Sequence, residues 1–415
     1  MESHTNPFLK TVLSLCCWIF ILVISSCTQV QTTYDNSIDY MAFRSSENGK
    51  WGMISTDGKV LLANMFTHRP ELGRNGMFMY QNIDRNDGDE WEIYTLEAQP
   101  KRIGKRYAFA SRTFINGRSL VADIHSPIYV IDCEGNKLMT LDSINGEKVM
   151  SVYQLEDSLY IFSTPSRLSG AIDYDGKVVI KPVYDNLAYN EGLFVAEKTE
   201  CTHHTEKLDT LHHFLLHDES PLNNNTHTIV LDKNGKQLFE TNRGVLLSSF
   251  SKGYAIASLY NDSTPRKAYA EGIIKSDGTW SIKPTAELKT MDIMDGNLIF
   301  IKDNRYGVMD VNGKIILPAR YQGLFWASSD RLYEYRKAKQ TEYTVRLMDL
   351  KGNYKGNKPY YAYSEFHKNY ALVMNKLNEW IFIDKEGREM VPPTKIYDID
   401  AWNRDFSFII VQVQK

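Results

Sequence analysis

From about residue 40 the chain alternates short apolar runs with a recurring polar turn. Residues 51–59 read WGMISTDGK, 169–177 SGAIDYDGK, 271–279 EGIIKSDGT and 306–314 YGVMDVNGK. Fainter copies stand at 128–137, 228–236, 345–353 and 380–388. Each has two or three apolar residues ending in Asp or Ser, a turn of the form x-[Asp/Asn/Glu]-Gly-[Lys/Asn], and a second apolar run. This pattern predicts a β-hairpin, with Gly supplying a positive φ and Asp or Asn bonding local amides. Several outgoing strands carry a proline (Pro182, Pro284, Pro318, Pro392). Without an N–H for the ladder, proline is expected to stop the strand there. A third apolar stretch, such as 192–196, 253–257, 297–301 or 370–373, precedes the next hairpin.

The turn glycines are Gly58, Gly135, Gly176, Gly235, Gly278, Gly313, Gly352 and Gly387, separated by 77, 41, 59, 43, 35, 39 and 35 residues. The 77-residue gap holds a degenerate copy at Trp91–Ala98, which makes nine copies. The 59-residue gap is one period plus an insertion near 200–226. A period of about forty residues with at least three antiparallel strands predicts an all-β repeat architecture. Four short strands per period match a β-propeller blade, and an open, curved β-solenoid is the alternative. A strand from one chain terminus is a candidate to complete the first blade.

Together, Trp51-Gly52, the Gly-Lys turn, the Pro-Tyr segment and the Gly-Leu-Phe-Val strand resemble the WG-repeat proteins of bacteria. The resemblance spans roughly residues 39–415. It implies β-rich repeats with binding or scaffolding roles, and it brings no catalytic motif to transfer.

The first thirty residues are of a different kind. An uncharged apolar run over 11–24 fits a signal-peptide core and is short for a bilayer span. Ile24-Ser25-Ser26-Cys27 resembles the lipobox of bacterial lipoproteins. That resemblance implies a signal peptide over 1–26, lipid on Cys27, a tether over 27–38 and the repeat domain over 39–415. A short transmembrane anchor with an incidental Cys27 is the alternative. In the Bacteroidota-type lipoproteins that this segment resembles, an acidic cluster after the cysteine marks surface export; none follows Cys27, so the resemblance implies the outer membrane facing the periplasm, with surface exposure left open.

With 48 Lys+Arg against 51 Asp+Glu, the charge gives no electrostatic reason to expect nucleic acid. The 7 Trp, 25 Tyr and 18 Phe exclude a disordered chain. Of the cysteines outside the signal, Cys133 and Cys201 are expected to remain thiols, although one disulfide between them is possible. Trp51, Trp280 and Trp380 fall in repeat phase and are expected in the core. Trp326, Tyr333 and Trp402 are less regular; core packing is the expected role for them too, with a glycan or peptide surface as the alternative.

The insertion concentrates His203, His204, His212, His213, His217 and Asp218. Zn²⁺ accepts imidazoles with a carboxylate or thiolate completing a tetrahedron, but with no recognised ligand spacing present a solvated polar loop is the expected reading, and these residues are metal candidates only as its alternative. The Asp-x-Asp-Gly turns lack the further oxygens a Ca²⁺ loop needs. No cofactor is expected. The sequence thus points to a non-catalytic, lipid-anchored envelope protein that binds a protein, peptide or glycan. An envelope hydrolase, metal-assisted through the insertion, is the second reading.

Overall fold

The computed structural model describes residues 40–55, 59–72, 77–81, 91–111, 114–199, 225–265, 267–337, 343–366, 369–377, 379–390, 396, 398–399 and 408–410. Among them there is no α-helix, and nine small antiparallel sheets follow one another, with a two-stranded hairpin (Ser143–Ile144 and Glu147–Lys148) after the third. The fold class is the β-propeller, and each sheet is a blade. The chain divides into two compact units, one holding blades 1–3 and the other blades 4–9.

Blade 7 illustrates the unit. Its inner strand is Lys289–Met294, followed by Asn297–Lys302, Arg305–Asp310 and the outer Ile315–Tyr321, each paired with the next. The middle strands read as near-continuous apolar runs because both faces of a blade are covered. Leu298 to Phe300 and Val308 to Met309 are all buried. Burial of such runs is the main stabilising term, at about 25 cal/mol per Å² of apolar surface.

The turn between the third and outer strands is built the same way in six blades. In blade 7 the Asp310 carboxylate accepts the amides of Asn312 and Lys314, both at 2.9 Å. Asp132, Asp173, Asp232, Asp349 and Asp384 do the same in blades 3, 4, 5, 8 and 9. Ser55 and Thr95 take over with their hydroxyls in blades 1 and 2, accepting from Lys59 and Lys101. All seven described turn glycines have φ between 71° and 87°, as the sequence predicted; Gly58 lies outside the described residues.

The glycine of the Trp-Gly signature has a different cause. A Cβ on Gly307 would stand 2.7 Å from the Leu317 carbonyl oxygen and 2.8 Å from the Ala319 nitrogen. Gly52, Gly170 and Gly272 are crowded in the same way by Leu62, Ile180 and Ile282. At all four the register with the outer strand shifts, so the outer strand bulges over the glycine.

This bulge corrects the expectation for the prolines. Pro182, Pro284 and Pro318 do not end their strands, which run on as Val178–Tyr184, Trp280–Thr285 and Ile315–Tyr321. Each proline falls within the shifted register of an edge strand, where the ladder asks for no N–H. Pro392 lies outside the described residues. Trp280, expected in the core, is on an outer strand and 37% exposed.

Blade 1 consists of Tyr40–Arg44, Trp51–Ser55 and Val60–Phe66, with Asp398–Ile399 as its innermost strand. Phe43 pairs with Ile399 and Arg44 with Asp398. A terminal strand therefore completes the first blade. The later Phe408–Ile410 instead pairs with Ala362–Ser364 of blade 9.

Candidate functional site

Blade 8 begins with Gly323–Ser328, and its alternating side chains pack in two directions. Leu324 and Trp326 join Ile299, Val308, Leu317 and Tyr321 of blade 7. Phe325 and Ala327 join Tyr363, Ala371 and Val373 of blade 9. Where these packing layers meet, a cavity of about 230 Å³ opens, lined by Met291, Asp292, Ile299, Leu324, Phe325, Trp326, Tyr363 and Glu365.

Local backbone devices supply the lining. In the blade 7 inner strand, Thr290 pairs with Phe300 and Asp292 with Ile299, which leaves Met291 as the extra residue of a bulge. Bulges re-aim side chains, and here two successive residues of one strand line the same cavity. In blade 9, the Ser364 hydroxyl accepts the Leu372 amide at 2.9 Å and donates to the Glu365 carbonyl at 2.9 Å. The side chain thus replaces a ladder bond and frees Glu365 from the strand. The Phe366 amide donates to the Ala327 carbonyl at 2.6 Å, tying that segment to the inner strand of blade 8.

The aromatic wall is braced from behind. Tyr363 lies 4.6 Å from Tyr333 and 6.2 Å from Phe325, ring centroid to centroid. Tyr335 meets Phe325 edge-on at 6.3 Å and stacks on Tyr343 at 5.2 Å. Trp326 is 4% exposed and Tyr363 1%, yet the indole N–H of the first and the hydroxyl of the second have no hydrogen-bond partner. The Tyr333 hydroxyl shares that condition. Burial, with the neighbouring Glu365 charge, pushes the Tyr363 hydroxyl far up its scale and keeps it a neutral donor.

Both carboxyl groups are raised. Asp292 is exposed at the surface, with protein packed on one side of it. That desolvation outweighs the one amide, from Ile293 at 2.7 Å, that favours its charge. Glu365 is raised by burial and then by the charge of Asp292. No Lys, Arg or His lines the cavity.

Glu92 in blade 2 shows the contrast. Burial would raise it too, but Tyr94 and Arg106 hydrogen bonds at 2.7 Å, with the charges of Arg106 and Arg102, hold it below the usual range. An acid with such partners is structural. Asp292 and Glu365 lack them, and raised acids lining a cavity are candidates for a functional site.

Of the less regular aromatics, Trp326 lines the cavity and Tyr333 stands behind it; Trp402 lies outside the described residues, and Trp380 is half-buried. Cys27, Cys201, His203, His204, His212, His213, His217 and Asp218 also lie outside them. The insertion that carries the histidines joins Leu193–Thr199 to Thr226–Asp232 in blade 5. His227, just beyond it, is buried beside Glu240 at 3.4 Å. The Cys133 thiol contacts the Gly117 carbonyl at 3.6 Å.

Asp292 and Glu365 escaped the sequence reading. A signal was present: Asp292, Trp326 and Glu365 each stand five residues before the second strand of their blade. The same position holds Gln154, Ala188 and Ser249 in blades 4, 5 and 6.

Two stretches, 170–200 and 306–327, match the WG containing repeat. Each runs from the third strand of one blade into the start of the next, so the sequence repeat straddles two blades. The chain carries WG repeats at least there. No curated protein sequence matches it. Among solved structures, a eukaryotic initiation factor is similar with a TM-score of 0.51 at 8% identity, over 88% of this chain and 98% of that one. The computationally designed protein Ika8 is similar at 0.38 and 10% identity, over 86% and 96%. A Pyrococcus horikoshii acylaminoacyl peptidase is similar at 0.36 and 12% identity, over 78% and 51%. The first is a likeness of fold alone, and the other two carry nothing further.

Proposed function

We propose that the protein is a non-catalytic binding protein of the bacterial cell envelope, held to the membrane by lipid on Cys27. It takes its ligand, a group on a protein, peptide or glycan, in the cavity between blades 7, 8 and 9. The observation that carries the binding reading is this cavity, whose lining brings Asp292 and Glu365 together with aromatic side chains and no basic one. Concave, mostly apolar sites with a few convergent polar groups are where ligands bind. The WG repeats at 170–200 and 306–327 fit a binding role.

Ligand-observed NMR of the full-length protein, screened against small amines, sugars and peptides, tests the reading. A saturable ligand lost in the Asp292→Asn, Glu365→Gln double variant supports it. A screen with none overturns it. For the anchor, labelling cells with a radioactive fatty acid should mark the wild type and leave Cys27→Ala unmarked.

The raised pair also favours a second reading, an envelope hydrolase in which one carboxyl donates a proton while the other stays ionised. Turnover of chromogenic glycosides by the wild type, abolished in Glu365→Gln, would support it over binding alone. The His-rich insertion keeps its candidate metal role in that reading. Zinc analysis of wild type against a His213→Ala, His217→Ala variant tests it.

A further inference from the structure

We infer that the ligand of this cavity is a compact organic cation carrying an ammonium group. The inference rests on the binding reading and specifies its chemistry.

Charge comes first. Two acidic side chains and no basic one face a space otherwise walled by Met291, Ile299, Leu324, Phe325, Trp326 and Tyr363. An anion would be repelled, and a neutral guest would leave both acids uncompensated. A cation relieves the desolvation and the mutual repulsion together, which is why opposite charge nearby favours an ionised carboxyl. Aromatic faces add attraction for the same sign of charge.

The wall then separates an organic cation from a metal ion. Calcium takes six to eight oxygens and magnesium keeps a hydrated octahedron. This cavity offers two carboxylates and six side chains that are mainly apolar. Carbon skeletons suit such walls. Its volume, about 230 Å³, admits one small residue and no more.

Isothermal titration of the full-length protein with glucosamine and glycinamide tests this. The first carries the group on a sugar and the second on an amino-acid residue, so the tighter binder identifies the source. At least one should bind tenfold or more tightly than its neutral counterpart, glucose or acetamide. Affinity should rise with pH as the acids ionise, up to about pH 7, above which the probe amines begin to lose their charge, and should fall at least tenfold in Asp292→Asn or Glu365→Gln. Circular dichroism checks that each variant is folded, and the isosteric Glu365→Gln guards against a packing effect.

Tighter binding of the neutral counterparts, or of Ca²⁺ alone, overturns the ligand class and leaves the binding reading standing. Absence of binding by these probes and by every compound of the NMR screen overturns both. Amine binding that is unchanged in both acid variants also overturns the inference, because the cation then sits elsewhere.

Discussion

Gly307 and Glu365 show two kinds of constraint on a single position. At Gly307 the outer strand leaves no room for a side-chain carbon, 2.7 Å from the Leu317 carbonyl. Gly307→Ala should therefore cost about 1–3 kcal/mol, the usual range for overpacking, read as a lower urea midpoint at unchanged slope. Glu365 is constrained by charge. Its folded-state pKa lies above the ordinary carboxyl value. In the window between the two, the folded protein holds a proton that the unfolded chain has released, so stability falls as pH rises through it. Glu365→Gln removes that loss. The variant should melt above the wild type at pH 7, and the difference should vanish as pH drops below about 4, where both side chains are neutral. Glu92, held below its ordinary value by Arg106, responds the other way: its contribution is present at neutral pH and disappears on acidification.

A blade is held by devices of unequal visibility in sequence. The turn before the outer strand is local: Asp310, Gly313 and the two amides bonded to Asp310 lie within four residues, so the motif was readable in every good copy. The proline expectation failed because its consequence depends on what lies across the strand. Pro318 sits over Gly307, where the register shifts, and only the paired structure shows that no ladder bond is needed. Inner strands were harder still. Blade 2 begins with two residues, Glu71–Leu72, and blade 9 with three, Ala362–Ser364, too short for any periodicity. The cavity draws on the inner strands of three blades, so its acids are neighbours only after the blades pack. The completing strand Asp398–Ile399 is equally short, yet it covers the edge of Tyr40–Arg44. Truncation after Ile396 should bare that edge and the inner edge of Ala362–Ser364, which otherwise pairs with Phe408–Ile410. Open edges template intermolecular pairing. The truncated chain should melt lower than the full chain and associate with rising concentration in size-exclusion chromatography with light scattering.

At the scale of the whole molecule, charge and anchor make separable contributions to membrane attachment. The formal net charge is −3, from 48 Lys+Arg against 51 Asp+Glu. Anionic lipid surfaces attract polybasic segments at about 1 kcal/mol per Lys or Arg, and that attraction fades within a Debye length, about 8 Å at physiological salt. A chain so nearly balanced gains little from it. If the proposed lipid on Cys27 holds the protein, attachment derives from buried CH₂ groups, about 0.8 kcal/mol each, which salt does not screen. Washing membranes with 1 M NaCl should then leave the wild type in the pellet, and non-ionic detergent should release it. Cys27→Ala, uncleaved, would keep the apolar run over 11–24 in place of lipid, so loss of fatty-acid label has to be read alongside the mobility of the chain. Replacing residues 1–27 with a cleavable secretory signal that leaves Thr28 first removes both holds. That chain should move to the soluble fraction at every salt concentration. Its retention on washed membranes would mean that the blades themselves bind the envelope, and competition by glucosamine or glycinamide would then trace the contact to the cavity.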